Sequence, residues 1–241
     1  MKVALLLSGL PRKVEEGYNR TWKALIEAYD VDIYLQYWKD EDWQKVQEIY
    51  PNAKSYHMQE PFKFTHFKEG IYLPHTDTSR PLPQYDVMSD FRQFPMFYSW
   101  QKVYQDIYDT NIQYDFVIRS RYDIEISNPI KLENLNPNIL NNAPGGGFFD
   151  DNLSITSKDN ADKIFYNIFD TLLDISRNSG ELKSAEQSWS MLITKSGLQT
   201  LVIPQLRFKL LRDDLVWWGD NDGNIISDRK PTRLGMNDKP K

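Results

Sequence analysis

Cysteine is absent from the 241 residues, which excludes disulfides, thiol nucleophiles and thiolate-bound metals. The same absence fits a reducing compartment, so a cytoplasmic location is expected. Histidine is scarce: His57, His66 and His75 are the only three, and none follows residue 75. No basic run or stripe stands out and the net charge is −5, which argues against a nucleic-acid partner. No stretch approaches the roughly 18 apolar residues of a transmembrane helix. The N-terminal segment MKVALLLSGLPR has an apolar core of only Val3 to Leu7 and no small-residue cleavage site, so it reads as a strand and not as a secretory signal. Repeats and low-complexity tracts are also missing. What is present is a composition of 40% hydrophobic and 14% aromatic residues, ample for a core. At this length a single domain is expected.

Hydrophobic periodicity gives an order of elements. Lys2 to Leu7 is a continuous apolar run ending at Ser8-Gly9, and Pro11-Arg12-Lys13 turns the chain. Tyr18, Trp22, Leu25, Ile26 and Tyr29 recur at helical spacing, so a helix is predicted over about Glu15 to Ala28. A strand over Val31 to Tyr37, a helix over Asp42 to Tyr50 and a strand over Ala53 to Met58 follow. This β-α-β-α-β order predicts a parallel, doubly wound sheet flanked by helices. Gln59 to Asp86, with prolines at 61, 74, 81 and 83, reads as a long irregular excursion that holds His66 and His75, and His57 is assigned to the same irregular middle section. Pro95 suits the first turn of a helix whose stripe is Met96, Phe97, Trp100, Val103, Tyr104, Ile107 and Tyr108. Beyond it come a polar segment (Asn128 to Asn142), the glycines 145–147, and one amphipathic helix from Asn160 to Ile175. A helix opened by the Ser184-Ala185-Glu186-Gln187 capping box should stop at Gly197. Short strands at Leu201 to Ile203 and Phe208 to Leu210 and an Asp222-Gly223 hairpin complete the pattern.

The chemistry concentrates in Tyr114 to Glu125, YDFVIRSRYDIE. A buried strand here delivers Arg119, Arg121, Asp123 and Glu125 within seven residues. In a regular strand positions i and i+2 share a face, so the two carboxylates would meet, and so would the two arginines. Paired hard oxygen ligands suit Mg²⁺ or Mn²⁺, and paired guanidinium forks suit a diphosphate. Ordinary ion pairing along a strand edge is the plain alternative.

The ordered set Ser8-Gly9-Leu10-Pro11-Arg12, Phe97-Tyr98-Ser99, Tyr114 to Asp123 and Asp150-Asp151 resembles nucleotide-sugar glycosyltransferases of the GT-A fold. More narrowly, it resembles bacterial and viral sugar transferases related to lipopolysaccharide-synthesis proteins of the WavE type. The resemblance spans roughly residues 1 to 195. It implies a nucleotide-binding half (1–127), a smaller acceptor-side half (128–241), a nucleotide-diphosphate sugar as donor and a glycan or other hydroxyl as acceptor. Carried over, it implies that Asp123, helped by Glu125, lies near a divalent metal, Mn²⁺ or Mg²⁺. Ser8, Gly9 and Arg12 would line the nucleotide pocket, Arg119 and Arg121 would face the diphosphate or orient Asp123, and Asp150 would approach the sugar. Asp151 or Glu186 would supply the carboxylate that deprotonates the acceptor. Two departures from the pattern stand out: no histidine follows His75, and Glu125 replaces the commoner aspartate.

Two rivals use the same residues. A nucleotidyltransferase or similar phosphate-handling enzyme would share the carboxylates, but Ser8 to Arg12 holds only one glycine and no lysine. A non-catalytic carbohydrate-binding relative would keep the fold alone.

Overall fold

The computed structural model describes residues 1–39, 43–60, 86–144, 149–179, 185–211, 216–219 and 225–228. His66, His75 and Ser184 lie outside them. The chain opens with β1 (Lys2–Gly9), then a helical stretch made of α1 (Val14–Gly17), a π-helical segment (Tyr18–Trp22) and α2 (Lys23–Ala28). β2 (Asp30–Trp38), α3 (Trp43–Ile49) and β3 (Ser55–Gln59) follow in parallel array. The long helix α4 (Asp86–Tyr108) then carries the chain back across β2 and β1 to β4 (Phe116–Ser120), which pairs with β1 in parallel.

From β4 onward the pairing changes sense. After β5 (Ile124–Ile126) come β6 (Leu140–Pro144) and β7 (Phe149–Thr156). β7 runs antiparallel to both β4 and β6. α5 (Lys158–Phe165), α6 (Ile168–Ser179), α7 (Ala185–Ser196) and β8 (Thr200–Val202) complete a seven-stranded sheet of order β3-β2-β1-β4-β7-β6-β8. β9 (Phe208–Leu210) pairs antiparallel with β5, and β10 (Val216–Gly219) pairs antiparallel with β11 (Ile225–Asp228). The protein is therefore α/β with a mostly parallel central sheet, as predicted.

Alternation along the strands divides the core in two. Ala4, Leu6, Tyr34 and Val117 face α4 to α7, where Phe97, Trp100, Phe165 and Trp189 pack on them. Val3, Leu5, Leu7, Ile33, Leu35 and Ile118 face the helices on the other side, around Trp22 and Val46. Every residue of β4 is buried, as expected for a strand covered on both faces.

The structure corrects several sequence expectations. The strand expected through Glu125 stops at Ser120, because Tyr122 turns inward and hydrogen-bonds the carbonyls of Leu7 (3.1 Å) and Gln36 (2.9 Å). Asp150 and Asp151 begin β7 and are not in a turn. β6 falls where a polar irregular segment was expected; its Asn141 and Asn142 are buried and bond main-chain carbonyls. The helix expected from Asn160 to Ile175 is two, broken between Phe165 and Ile168. Pro95 lies well inside α4, where it forfeits one backbone bond without ending the helix. His57 belongs to β3 and not to the irregular excursion.

Candidate active site

β1 is followed outward on one side by β2 and β3, after which α4 returns the chain to β4 on the other side of β1. The carboxyl ends of β1 and β4 thus form a topological switch point, the place where open α/β sheets leave a crevice for ligands. Ser8 and Gly9 end β1 there, and β4 ends beside them, with Leu7 in register with Ser120. Gly9 has φ +113°, a conformation that L side chains rarely adopt, so this exit from the strand requires glycine. Its N–H donates to Gln36 Oε1 at 3.3 Å. Ser8 Oγ and Gln36 Nε2, neighbours across β1 and β2, are buried and have no hydrogen-bond partner among the described residues. Such unsatisfied groups are rare in native interiors, and they gather at sites that bind something. Arg12 is exposed in the turn beyond.

The turn after β4 is built by contacts the sequence does not advertise. Gly17 presses on it so closely that a Cβ there would lie 1.8 Å from the Tyr122 carbonyl oxygen. Thr21, in the π-helical segment, donates to the Ile124 carbonyl (2.9 Å) and accepts from the Ile126 N–H (3.1 Å). The turn places Arg121 and Asp123 as a fork: Nε to Oδ1 at 2.5 Å and Nη2 to Oδ2 at 2.9 Å. Asp123 is wholly buried, and Arg121 Nη1 also reaches Asn152 Oδ1 at 3.1 Å. Burial works against the charge on Arg121, but Asp123, with Asp151 and Asp150 behind it, holds the guanidinium above its ordinary value.

Glu125 is elsewhere. It sits on β5, where Arg20 Nη1 (2.6 Å) and Lys209 Nζ (3.1 Å) grip its carboxylate; these cations outweigh burial and lower its pKa. The two carboxylates that the resemblance offers to a divalent ion therefore do not share a strand face, and each is already neutralised by cations. Among the described residues no group of three or more histidine, aspartate or glutamate side chains is placed to hold a metal. The donor set in this arrangement does not fit the ion.

Asp150 and Asp151 enter from β7. Asn152 knits the pair together: its N–H donates to Asp150 Oδ1 (2.6 Å), and Nδ2 reaches Asp150 Oδ1 and Asp151 Oδ1, each at 3.0 Å. Burial, then the charge of Asp151, pushes Asp150 up to about 7, against the pull of Asn152 and Arg119. Asp151 is also raised, first by burial and then by Glu186, while Arg119 and Arg121 oppose the rise. Glu186 is exposed in the first turn of α7, which packs on β7. Beneath this group Arg119 is buried with its guanidinium 3.6 Å over the Trp100 ring.

The fold thus gathers Ser8, Gly9, Arg119, Arg121, Asp123, Asp150, Asp151 and Glu186 toward the carboxyl ends of β1 and β4, and leaves Glu125 outside. Gln36, Asn152 and Trp100 belong with them but carry no sequence signal. Only the Asn directly after Asp-Asp hints at one of them.

No family model matches the chain, and no curated protein matches it. Among solved structures, the chain is similar to mouse xyloside xylosyltransferase 1 in its apo form, at 10% identity and TM-score 0.43, over 84% of this chain and 85% of that one. At that identity and TM-score the likeness bears on neither activity nor substrate.

Proposed function

We propose that the protein is a glycosyltransferase that moves a sugar from a nucleotide-diphosphate donor to an acceptor hydroxyl, in glycan or polysaccharide synthesis. The observation that carries this reading is the switch point itself. On one side stand Ser8 Oγ and Gln36 Nε2, buried and without a hydrogen-bond partner among the described residues, and on the other stands a guanidinium-carboxylate cluster. The nucleotide lies over Ser8 and Gly9 with Arg12 at its rim, in the 1–127 half. The N–H groups of Arg121 not used by Asp123 and Asn152 turn to the diphosphate, where negative charge grows as the bond to the sugar breaks. Asp150 meets the sugar. Asp151 or Glu186, from the 128–241 half, accepts the proton of the acceptor hydroxyl as its oxygen bonds the anomeric carbon and the diphosphate leaves. A carboxylate whose pKa is raised by burial and by a like charge suits that base, because its proton affinity approaches the working pH.

Calorimetric titration with UDP and with GDP, each with and without Mn²⁺, tests the reading, followed by donor hydrolysis on a panel of nucleotide sugars. Binding of at least one diphosphate and turnover of its sugar are expected. A protein that binds neither nucleotide under any of the four conditions is not a transferase of this kind. Binding without turnover would favour the non-catalytic relative, to which the neutralised Asp123 and Glu125 already lean.

A further inference from the structure

We infer that Arg119 is a positioning residue that holds the Asp151 main chain in place, and not a contact to the donor diphosphate. The kinetic part of this inference rests on the transferase reading above; the rest does not.

Arg119 leaves β4 on the face covered by α4 and α7 and is 1% exposed. Its Nη1 donates to the main-chain carbonyl of Asp151 at 2.5 Å, and its Nε reaches Ser154 Oγ at 3.4 Å. The guanidinium carbon lies 3.6 Å over the centre of the Trp100 ring, and Trp189, whose ring meets Trp100 edge-on at 5.3 Å, is 5.8 Å from the same cation. One side chain thus ties α4, α7, β4 and β7 together at the level of Asp151. Among the described residues no carboxylate oxygen bonds it, which separates it from Arg121 and its fork on Asp123. Its charge reaches Asp150 and Asp151 only through the field, alongside Arg121, Glu186 and Asn152.

The bond to a main-chain carbonyl is what makes this positioning. It fixes the peptide from which the Asp151 side chain springs, whichever way that side chain turns. Stacking on Trp100 fixes the guanidinium in turn, and a cation over an aromatic face in a dry site gains attraction that helps offset its desolvation. Lysine would keep the charge but lose both the planar stack and the second hydrogen bond.

The variants Arg119→Met and Arg119→Lys test this with three readouts. The first is ¹³C-detected titration of the aspartate carboxyls, the second UDP and GDP calorimetry, and the third kcat and KM on whichever nucleotide sugar of the panel the protein turns over. In Arg119→Met the midpoints of Asp150 and Asp151 should move up, nucleotide affinity should hold, and kcat should fall about a hundredfold at unchanged KM, the scale of a 1 Å misplacement. Arg119→Lys should fail to restore kcat. It serves as the sole variant if Arg119→Met does not fold. A fall in nucleotide affinity with unmoved carboxyl midpoints would make Arg119 a diphosphate contact and overturn the inference. So would unmoved midpoints with unchanged kcat, or full rescue by lysine. If the unaltered protein binds neither UDP nor GDP, the transferase reading fails while the carboxyl titration still decides the role of Arg119.

Discussion

Asp32 and Asp150 stand at opposite ends of the same sheet and in opposite electrostatic states. At the amino end, Asp32 accepts from Tyr114 Oη (2.9 Å) and is flanked by Lys2 (3.2 Å) and Lys54 (3.4 Å). The single Tyr114 proton goes to Asp32, so Tyr34 must donate to Tyr114 across their 2.6 Å contact. Burial tends to raise Asp32, but these partners outweigh it and its pKa falls. At the carboxyl end, Asp150 is raised to about 7, because burial and a second carboxylate outweigh its partners. Ser8 Oγ and Gln36 Nε2, both toward that end, have no partner among the described residues. One end spends its polar groups on itself and steadies the fold; the other keeps them unspent, as a site must.

The largest break in this contrast should come from Gly17→Ala. Its Cβ would collide with backbone at the Tyr122 turn, and backbone cannot swing aside as a side-chain tip can. Destabilisation at or beyond the upper end of the roughly 1–3 kcal/mol typical of overpacked cores is expected, measured by urea unfolding. An alanine variant of normal stability would show that the turn is not clamped.

Asp123→Ala comes next. It would strand Arg121 without its carboxylate at the end of a buried strand. Arg121 keeps a quarter of its side chain exposed, so the cost should be about 2 kcal/mol, below the roughly 3–5 kcal/mol of a fully buried broken pair. Sequence alone would have this variant lose activity and keep its fold. Full stability in denaturant would restore that expectation and free Asp123 for a ligand role.

The smallest effects are read by pH, one at the amino end and one on β3. Tyr114→Phe should cost about 1 kcal/mol, the worth of one hydrogen bond, at neutral pH. Asp32 is depressed in the folded state, so its stabilisation is present above the unfolded value and is lost as pH falls through the folded one. The deficit of the variant should therefore shrink in acid. His57 runs the other way. Its Nε2 meets Asp106 at 2.6 Å, and that bond, against burial, raises its pKa. His57→Gln should lose a few tenths of a kcal/mol below about pH 6.5, given the half-exposed ring, and nothing once pH rises past the folded value. Thermal melts across pH 4 to 9 would read both trends, and a deficit that grows in base would sink the His57 assignment.

The sequence by itself determined the parallel half of the sheet. Lys2 to Leu7 and Phe116 to Ile118 are apolar runs that burial on both faces explains, Val31 to Tyr37 alternates as a strand does, and the helical stripes between them require crossover connections. It also marked Ser8-Gly9 as the end of the first strand and put Arg119 to Glu125 at the charged end of another, because strand ends are where apolar runs give way to charge. Only the tertiary structure decided what those charges do. Asp123 and Glu125 are two residues apart in the chain, yet Tyr122 turning under β1 and β2 sends one to Arg121 and the other to Arg20 and Lys209. Asp150 and Asp151 are held by Asn152, and Arg119 by a tryptophan on another helix. Periodicity reports which face of a strand is buried, a local property. The partner of a buried charge is set by long-range packing, and no spacing in the chain encodes it.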